Sequence, residues 1–223
     1  MTIRVINLNK LLKLCMIPEN ELISELRSDL RSERDKQLGI KSGGNHFHYP
    51  WWSAAKLHVM GIADLNIQTA LLVTASKQRR RLYPLLTSGF LTWLQHLRRT
   101  TNQRIGWREE QVHTHYVVPG LDLTVKVDNL LALQVGEDRH KLVYPYFTED
   151  PALNDTWGRI ALWLMREALP GYDLAGMELL DVHRSRSFSG ASLFLKGDEE
   201  ALFEAKFTAI ATRWEQLKPE YGL

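Results

Sequence analysis

The sequence predicts an α/β fold in which a small mixed β-sheet is flanked by helices. Apolar residues at spacings of three and four indicate amphipathic helices near both ends of the chain. Alternating apolar residues between about 107 and 147 indicate strands. The turn-forming pairs Pro119-Gly120 and Pro170-Gly171 separate these segments. We therefore expect a strand-rich centre with helices on either side of it.

The composition limits the class of protein. The chain has 223 residues, of which 44% are hydrophobic and 24% charged, so a buried core in one domain or two small ones is expected. The net charge of +2 does not by itself favour a polyanionic partner. The single cysteine, Cys15, excludes an intramolecular disulfide and a thiolate zinc site. Without a signal-peptide pattern or an apolar run of about 20 residues, the sequence predicts a soluble cytoplasmic protein with no membrane partner.

Residues 1–44 are predicted to form an N-terminal helical arm. Residues 2–16 carry apolar side chains at helical spacing, and Pro18 then opens a helix that extends to about Leu38. The apolar stripe of this second helix consists of Leu22, Ile23, Leu26 and Leu30. The segment KSGGN at 41–45 predicts a loop, which we take as the boundary with a domain of residues 45–223.

Three helices are predicted before the strands. Ser53 caps a short one over residues 54–60, which Gly61 ends. Residues 67–75 favour a helix over a buried strand. A longer helix covers about 82–99, with a buried stripe of Leu86, Phe90, Trp93, Leu94 and Leu97.

Three strands follow, predicted over 107–118, 121–133 and 140–147. In the second of them the odd positions are apolar except for Asn129. Because side chains two residues apart point to the same face of a strand, Lys126 and Asp128 are expected together on the face opposite the apolar one.

The C-terminal third is predicted to contain two helices and two strands. A cap at 154–156 begins a helix to about Leu169, strands follow near 177–184 and 192–196, and Asp198 caps the last helix. The buried stripe of that helix consists of Phe203, Phe207, Ile210, Trp214 and Leu217.

This order of elements over about residues 50–217 resembles the PD-(D/E)xK nuclease superfamily, and in particular RecB-type nuclease domains and CRISPR-associated exonucleases. Gly89-Phe-Leu-Thr-Trp93 resembles the helix motif Gly-x-x-x-His, with Trp93 where histidine belongs. Glu109 or Glu110 resembles the acid of the first strand. Val125-Lys-Val-Asp128 resembles Gly-x-(I/V)-Asp, with Asp128 in the metal-binding place. The resemblance implies a restriction-endonuclease-like core.

The third strand departs from the family pattern. Tyr144-Pro-Tyr146 lies where (D/E)-x-Lys is expected, and the following helix offers Arg159 and Arg166 in place of the usual glutamine. Magnesium prefers several hard oxygen ligands, usually with more than one carboxylate, so one aspartate makes a poor site. We therefore expect an inactive nuclease-like module, a pseudoenzyme without a cofactor, that binds nucleic acid or a protein partner.

Two alternatives keep other functions open. In the first, the chain is a metal-dependent hydrolase. It is either a divergent magnesium- or manganese-dependent nuclease that uses Asp128 and Glu110, with Lys126 in place of the missing lysine, or an enzyme whose metal site is built on two His-x-His pairs. In the second, it is a structural or assembly protein that forms homo-oligomers through exposed aromatic residues.

Basic and aromatic residues supply candidates for nucleic-acid binding. The candidates for phosphate contact are Lys77, Arg79, Arg80, Arg81, Arg184 and Arg186. They are equally consistent with solvated segments whose charges are paired with nearby acids. Tyr144 and Tyr146 suit either stacking on bases in a cleft or packing in the core with one hydrogen bond each.

Two His-x-His pairs, His46 with His48 and His113 with His115, are candidate metal ligands. On a strand, each pair presents two imidazoles to the same side, as a zinc or other transition-metal site requires. The alternative is that these histidines face solvent and bind no metal.

Overall fold

Helices and two mixed β-sheets make up the computed structural model, which describes residues 3–40, 47–108, 112–137 and 139–223. The helices of these ranges are α1 (Leu8–Met16), α2 (Glu19–Gln37), α3 (Tyr49–Val59), α4 (Leu65–Leu72), α5 (Lys77–Thr101), α6 (Asp155–Ala168) and α7 (Glu199–Leu217). The strands are β1 (Val5–Asn7), β2 (Ile105–Trp107), β3 (Thr114–Val117), β4 (Thr124–Val127), β5 (Leu131–Val135), β6 (Arg139–Tyr146), β7 (Met177–Asp181) and β8 (Arg186–Ser189).

The two sheets differ in size, and their strands are interleaved along the sequence. The smaller sheet has the order β1-β4-β3, in which β1 is parallel to β4 and β3 antiparallel to it. The larger sheet has the order β2-β5-β6-β7-β8, in which β6 and β7 are parallel and the other neighbours antiparallel. Both sheets are therefore mixed.

Helices cover both faces of the five-stranded sheet. On one face, alternate residues of β6 such as Leu142 and Tyr146 belong to a core that includes α1, α2, α6, α7 and the smaller sheet. On the other face, Val143 of β6 and Leu180 of β7 pack against α3 and α5. Successive side chains of β6 point alternately into the two cores, which explains why the last five residues of this strand are all buried.

The N-terminal segment that we predicted as an arm contributes directly to the larger core. β1 pairs with β4, and the predicted stripe residues Leu22, Leu26 and Leu30 are buried. The division at residue 44 itself stays a prediction, because 41–46 lie outside the described residues.

The amphipathic helices are confirmed, and α3, α4 and α5 begin earlier than predicted. The stripes of α5 and α7 are buried, and Asn154 caps α6 by accepting from the Trp157 amide. α5 begins at Lys77 because the Ser76 side chain accepts from the Arg79 amide. α3 begins at Tyr49, so the prediction that Ser53 caps it is wrong. Pro50 is tolerated there because the first turn of a helix needs no donor from it.

The two long predicted strands are wrong as single strands. Residues 121–133 divide into β4 and β5, which belong to different sheets. Of residues 107–118, Trp107 is the last residue of β2, and β3 begins only at Thr114 and belongs to the other sheet. The break between β4 and β5 occurs at Asn129, whose φ of 63° lies in the left-handed region that asparagine tolerates. After this break the alternation stops, because Leu130 to Leu133 are all buried.

The strands after α6 also differ from the prediction. β7 ends at Asp181, and residues 182–184 form a short 3-10 helix. The strand predicted over 192–196 is wrong, since the last strand is β8, which pairs with β7. The sequence did not predict β8, because this strand is rich in serine and Phe188 is its one buried side chain.

Gly89 allows α5 to pack against the chain that follows β7. A Cβ atom at Gly89 would lie 1.8 Å from the carbonyl oxygen of Val182, a backbone atom that cannot move aside by rotating. We expect Gly89→Ala to lower the free energy of unfolding by about 1–3 kcal/mol, measured by urea denaturation. Gly171→Ala is the matched control, because a Cβ there meets nothing within 4 Å. Equal midpoints of urea denaturation for the two variants would show that the close approach of Gly89 to Val182 does not contribute to stability.

Candidate functional site

The candidate site lies at the carboxyl ends of β6 and β7. Because these strands are parallel, the segments that follow them leave the same edge of the sheet. The two segments touch: Nε2 of His183 lies 3.2 Å from the carbonyl oxygen of Phe147. In open α/β sheets this edge is the usual position for ligands.

A cavity of about 200 Å³ lies at this edge. It is lined by the starts of α1 and α3, by the connection between β4 and β5, and by the end of β6. Its polar lining includes Asp128, Asn129 and Asn7, and its aromatic lining includes Trp52 and Phe147. A larger groove of about 720 Å³ between α4 and α5 contains none of the predicted site residues, so we take the smaller cavity as the candidate.

Asp128 lines this cavity because the chain turns sharply after β4. The side-chain amide of Asn129 donates to Oδ1 of Asp128 at 3.1 Å, and the indole N–H of Trp52 donates to the Asn129 carbonyl oxygen at 2.6 Å. These bonds fix the position of the carboxylate relative to α3. We predicted Asp128 within a continuous strand over 121–133, whereas it follows β4 directly and lies in the connection to β5.

Lys56 is the cation coupled to Asp128, and sequence reasoning missed it. Burial lowers the pKa of the Lys56 ammonium, and the charge of Asp128 opposes this effect. The Lys56 ammonium also lies 5.9 Å from the centroid of the Trp52 ring. Lys126, which we predicted for this role, lies on β4 in register with Asn7 and His115. No sequence signal links Lys56 to Asp128, because the charge of one acts on the other only through the packing of α3.

Tyr144 and Tyr146 are buried and hydrogen-bonded. The Tyr144 hydroxyl accepts from the Asn9 amide at 2.9 Å, and the Tyr146 hydroxyl donates to the Pro151 carbonyl oxygen at 2.8 Å. Burial raises the pKa of Tyr144, with a further contribution from Asp128, and it raises the pKa of Tyr146 to about 12. Both phenols are therefore neutral near pH 7. Of our two interpretations, core packing describes them, although Tyr144 also lines the cavity.

His48 connects the cavity with the 3-10 helix after β7. Its ring stacks on Phe147 with centroids 4.7 Å apart and planes at 9°. Its Nδ1 atom is buried and has no hydrogen-bond partner. Burial, with a smaller effect from His183, lowers the pKa of His48 to about 4, and burial also lowers the pKa of His183.

The predicted basic segments converge next to the cavity. Arg81 forms two hydrogen bonds with the Glu149 carboxylate, at 2.5 and 2.6 Å. Arg184 donates to the Glu149 carbonyl oxygen at 2.5 Å and to the buried Asp181 at 3.1 Å. Arg186, which lies further along, pairs with Asp155 at 2.7 Å.

The basic run before the long helix is part of that helix. Lys77, Arg79 and Arg80 lie in the first turn of α5, which contains no acidic residue. The partial positive charge of a helix N-terminus adds to theirs. Arg79 also lies over the Tyr83 ring, 5.7 Å from its centroid.

The predicted metal ligands are distributed over two places. His113 and His115 are exposed at the start of β3, an edge strand, whereas His48 lines the cavity. His46, Glu109 and Glu110 lie outside the described residues. Within the described ranges, no three His, Cys, Asp or Glu side chains are grouped as a metal site would require. The zinc site and the pairing of Asp128 with Glu110 stay predictions.

The lowered pKa of His48 predicts a loss of stability in acid. Between about pH 6.5 and 4 the unfolded chain binds a proton that the folded state does not. The neutral His48 therefore makes its full contribution to the free energy of unfolding above about pH 6.5, and this contribution is lost as the pH falls towards 4. We expect wild type to lose about 1–2 kcal/mol more than His48→Gln between about pH 7 and 5, since one pKa unit corresponds to about 1.4 kcal/mol.

Urea denaturation at the two pH values measures this difference. The control is His96→Gln, which removes a histidine from the exposed side of α5 and is expected to leave the pH dependence of wild type unchanged. Equal losses in wild type and His48→Gln would contradict the assignment to His48.

None of the helices in the described ranges combines the length and apolar character that crossing a membrane requires. Comparison of the chain with models of known protein families, with curated proteins and with solved structures finds no match.

Proposed function

We propose that this chain is a catalytically inactive, nuclease-like module that binds nucleic acid beside the cavity. The observation that carries the proposal is the meeting of Arg81, from α5, and Arg184, from the segment after β7, at Glu149. Together with Lys77, Arg79, Arg80 and Arg186, these two arginines make up what we call the basic rim. Two segments about a hundred residues apart in sequence thereby supply one cationic surface.

The basic rim is suited to phosphate because its charges are concentrated and accessible. Lys77, Arg80 and Arg81 are exposed, and they lie where the helix dipole is already positive. The pairs of Arg81 with Glu149 and of Arg186 with Asp155 are both exposed. Because exposed ion pairs contribute only about 0–1 kcal/mol, a phosphate can replace the carboxylate at little cost.

The arrangement of elements around the larger sheet supports a restriction-endonuclease-like core. α5 is followed by β2, β5 and β6, which are antiparallel neighbours, then by α6 and by β7, parallel to β6. This is the order that the resemblance implies, with β3 and β4 inserted between its first two strands. Asp128 precedes β5 and lines the same cavity as Tyr144, so two positions of the family motifs are adjacent.

The residues at those positions favour binding over cleavage. Where the family pattern has an acid and a lysine, the chain has two neutral phenols whose hydroxyls are hydrogen-bonded within the protein. Neither supplies the negative charge that a magnesium ion requires or the amine that would stabilise a reacting phosphate.

One observation favours a second candidate function, a divergent metal-dependent hydrolase. The Lys56 ammonium, on α3, is close enough to Asp128 for the charge of that carboxylate to raise its pKa. In such an enzyme Asp128 and Glu110 would hold magnesium or manganese and Lys56 would supply the missing positive charge.

Nucleic-acid binding through the basic rim predicts a specific salt dependence. We expect Arg79→Ala/Arg80→Ala to weaken the binding of single- or double-stranded DNA roughly tenfold, and to reduce the slope of log K against log salt by about 1.5. Fluorescence anisotropy over a series of salt concentrations measures both quantities.

The same helix offers a matched control in Arg98→Ala/Arg99→Ala. It removes the same charge from exposed positions about 27 Å along α5 from the rim, at a rise of about 1.5 Å per residue. We expect this control to bind as wild type does. Equal weakening in both double variants would indicate attraction by overall charge, and no binding in wild type would refute the proposal in favour of a protein partner.

Catalytic inactivity predicts that labelled DNA and RNA remain intact with the protein and magnesium or manganese. Denaturing gel electrophoresis after prolonged incubation tests this prediction. Cleavage that is lost in both Asp128→Ala and Lys56→Ala would establish the hydrolase instead. Cleavage that survives in both variants would indicate a contaminating nuclease. The prediction then requires that cleavage disappear after the contaminant has been removed by further purification.

A further inference from the structure

We infer that the cavity at Asp128 receives one unpaired nucleobase and that Asp128 selects bases carrying an exocyclic amino group. This inference rests on the proposed function, because it assigns the base of a strand whose phosphates lie on the basic rim. It adds a source of base preference that phosphate contacts alone do not provide.

The size of the cavity suits a single heterocycle. Its volume of about 200 Å³ corresponds to about six or seven water molecules at ~30 Å³ each. Sites for drug-sized ligands are larger, at about 300–1,000 Å³. One base therefore fills the space, and a base pair is too large for it.

Aromatic side chains provide surfaces for such a ring. Trp52, His48 and Phe147 line the cavity, and their mutual contacts hold them in place. Tyr49, in the first turn of α3, also lines it and is 61% exposed. An exposed tyrosine beside a cationic surface is the arrangement by which proteins stack on bases of single strands.

The charge inside the cavity determines which bases fit. A carboxylate accepts hydrogen bonds but donates none, and Asn129 supplies one donor to Oδ1 of Asp128. Cytosine and adenine present an amino donor, whereas thymine and uracil present a carbonyl oxygen in the corresponding place. A carbonyl facing Asp128 offers no hydrogen-bond donor to the carboxylate and places two partial negative charges together, so the geometry disfavours thymine and uracil.

Phe147 connects the cavity with the basic rim. Its ring lines the cavity, and Glu149, where Arg81 and Arg184 meet, follows two residues later. Two residues span at most about 7 Å. One nucleotide can therefore place its phosphate on the rim while its base enters the cavity.

The test compares binding of fluorescent oligo-dC and oligo-dT of about 12 nucleotides to the full chain at one salt concentration. We expect oligo-dC to bind at least about fivefold more tightly, the effect of one good base-edge hydrogen bond. In Asp128→Asn the new amide also donates, so the preference is expected to vanish or to invert towards oligo-dT. Asp122→Asn, at an exposed carboxylate before β4, is the matched control and keeps the preference.

A second variant separates stacking from selection without touching the interior. Because Tyr49 is exposed, Tyr49→Ala is expected to fold normally and to weaken both oligonucleotides by a similar factor of at least fivefold, as base–aromatic stacking contributes.

The outcomes distinguish this inference from the proposed function. Equal binding of both oligonucleotides that is weakened by Arg79→Ala/Arg80→Ala would retain the basic rim and overturn the base cavity. A preference for oligo-dC that persists in Asp128→Asn would also overturn it. If neither oligonucleotide binds, the proposed function fails and the base cavity fails with it.

Discussion

The left-handed backbone of Asn129 is the constraint on which the arrangement of the site depends. With φ at 63°, the chain leaves β4 of the smaller sheet and enters β5 of the larger one within three residues. This turn places the Asp128 side chain at the edge between the sheets. The Trp52 indole stabilises the turn by donating to the Asn129 carbonyl oxygen. A continuous strand here would have left the two sheets as one and Asp128 on an open face.

Buried acids on β7 connect this edge with the rest of the molecule. Glu178 accepts from the Trp93 indole at 2.6 Å and pairs with Lys141, which ties α5 to the sheet. Breaking such a buried pair by removing one partner costs about 3–5 kcal/mol. Trp93, at the position that we compared with the histidine of the nuclease helix motif, thus has a structural role. Three residues along β7 from Glu178, the fully buried Asp181 holds Arg184, so that an arginine of the rim is positioned by the core.

The sequence predicted those parts of the fold that depend on local periodicity. The stripes of α2, α5, α6 and α7 repeat over four or more turns or end in clear caps, so their helices are confirmed to within a few residues at most ends. The division of the strands could not be predicted, because the odd positions of 121–133 are apolar on both sides of Asn129 and one asparagine does not reveal its backbone conformation. Pairs such as Lys56 with Asp128, or Glu149 with Arg81, could not be predicted either, because they depend on tertiary packing between segments that are 68 residues or more apart in sequence.

The distribution of charge shows how a near-neutral chain could carry out the binding of a polyanion that we propose. A net charge of +2 gives little long-range attraction, so any attraction has to come from local asymmetry. The protein provides it by placing the rim arginines at the positive end of α5 and beside the ends of two parallel strands, while Asp128 lies within the cavity. In the complex that we propose, phosphate and carboxylate are thereby separated, because a phosphate that approached Asp128 would be repelled whereas one on the rim would replace Glu149. This separation would orient a bound single strand, with its backbone outside and a base inside.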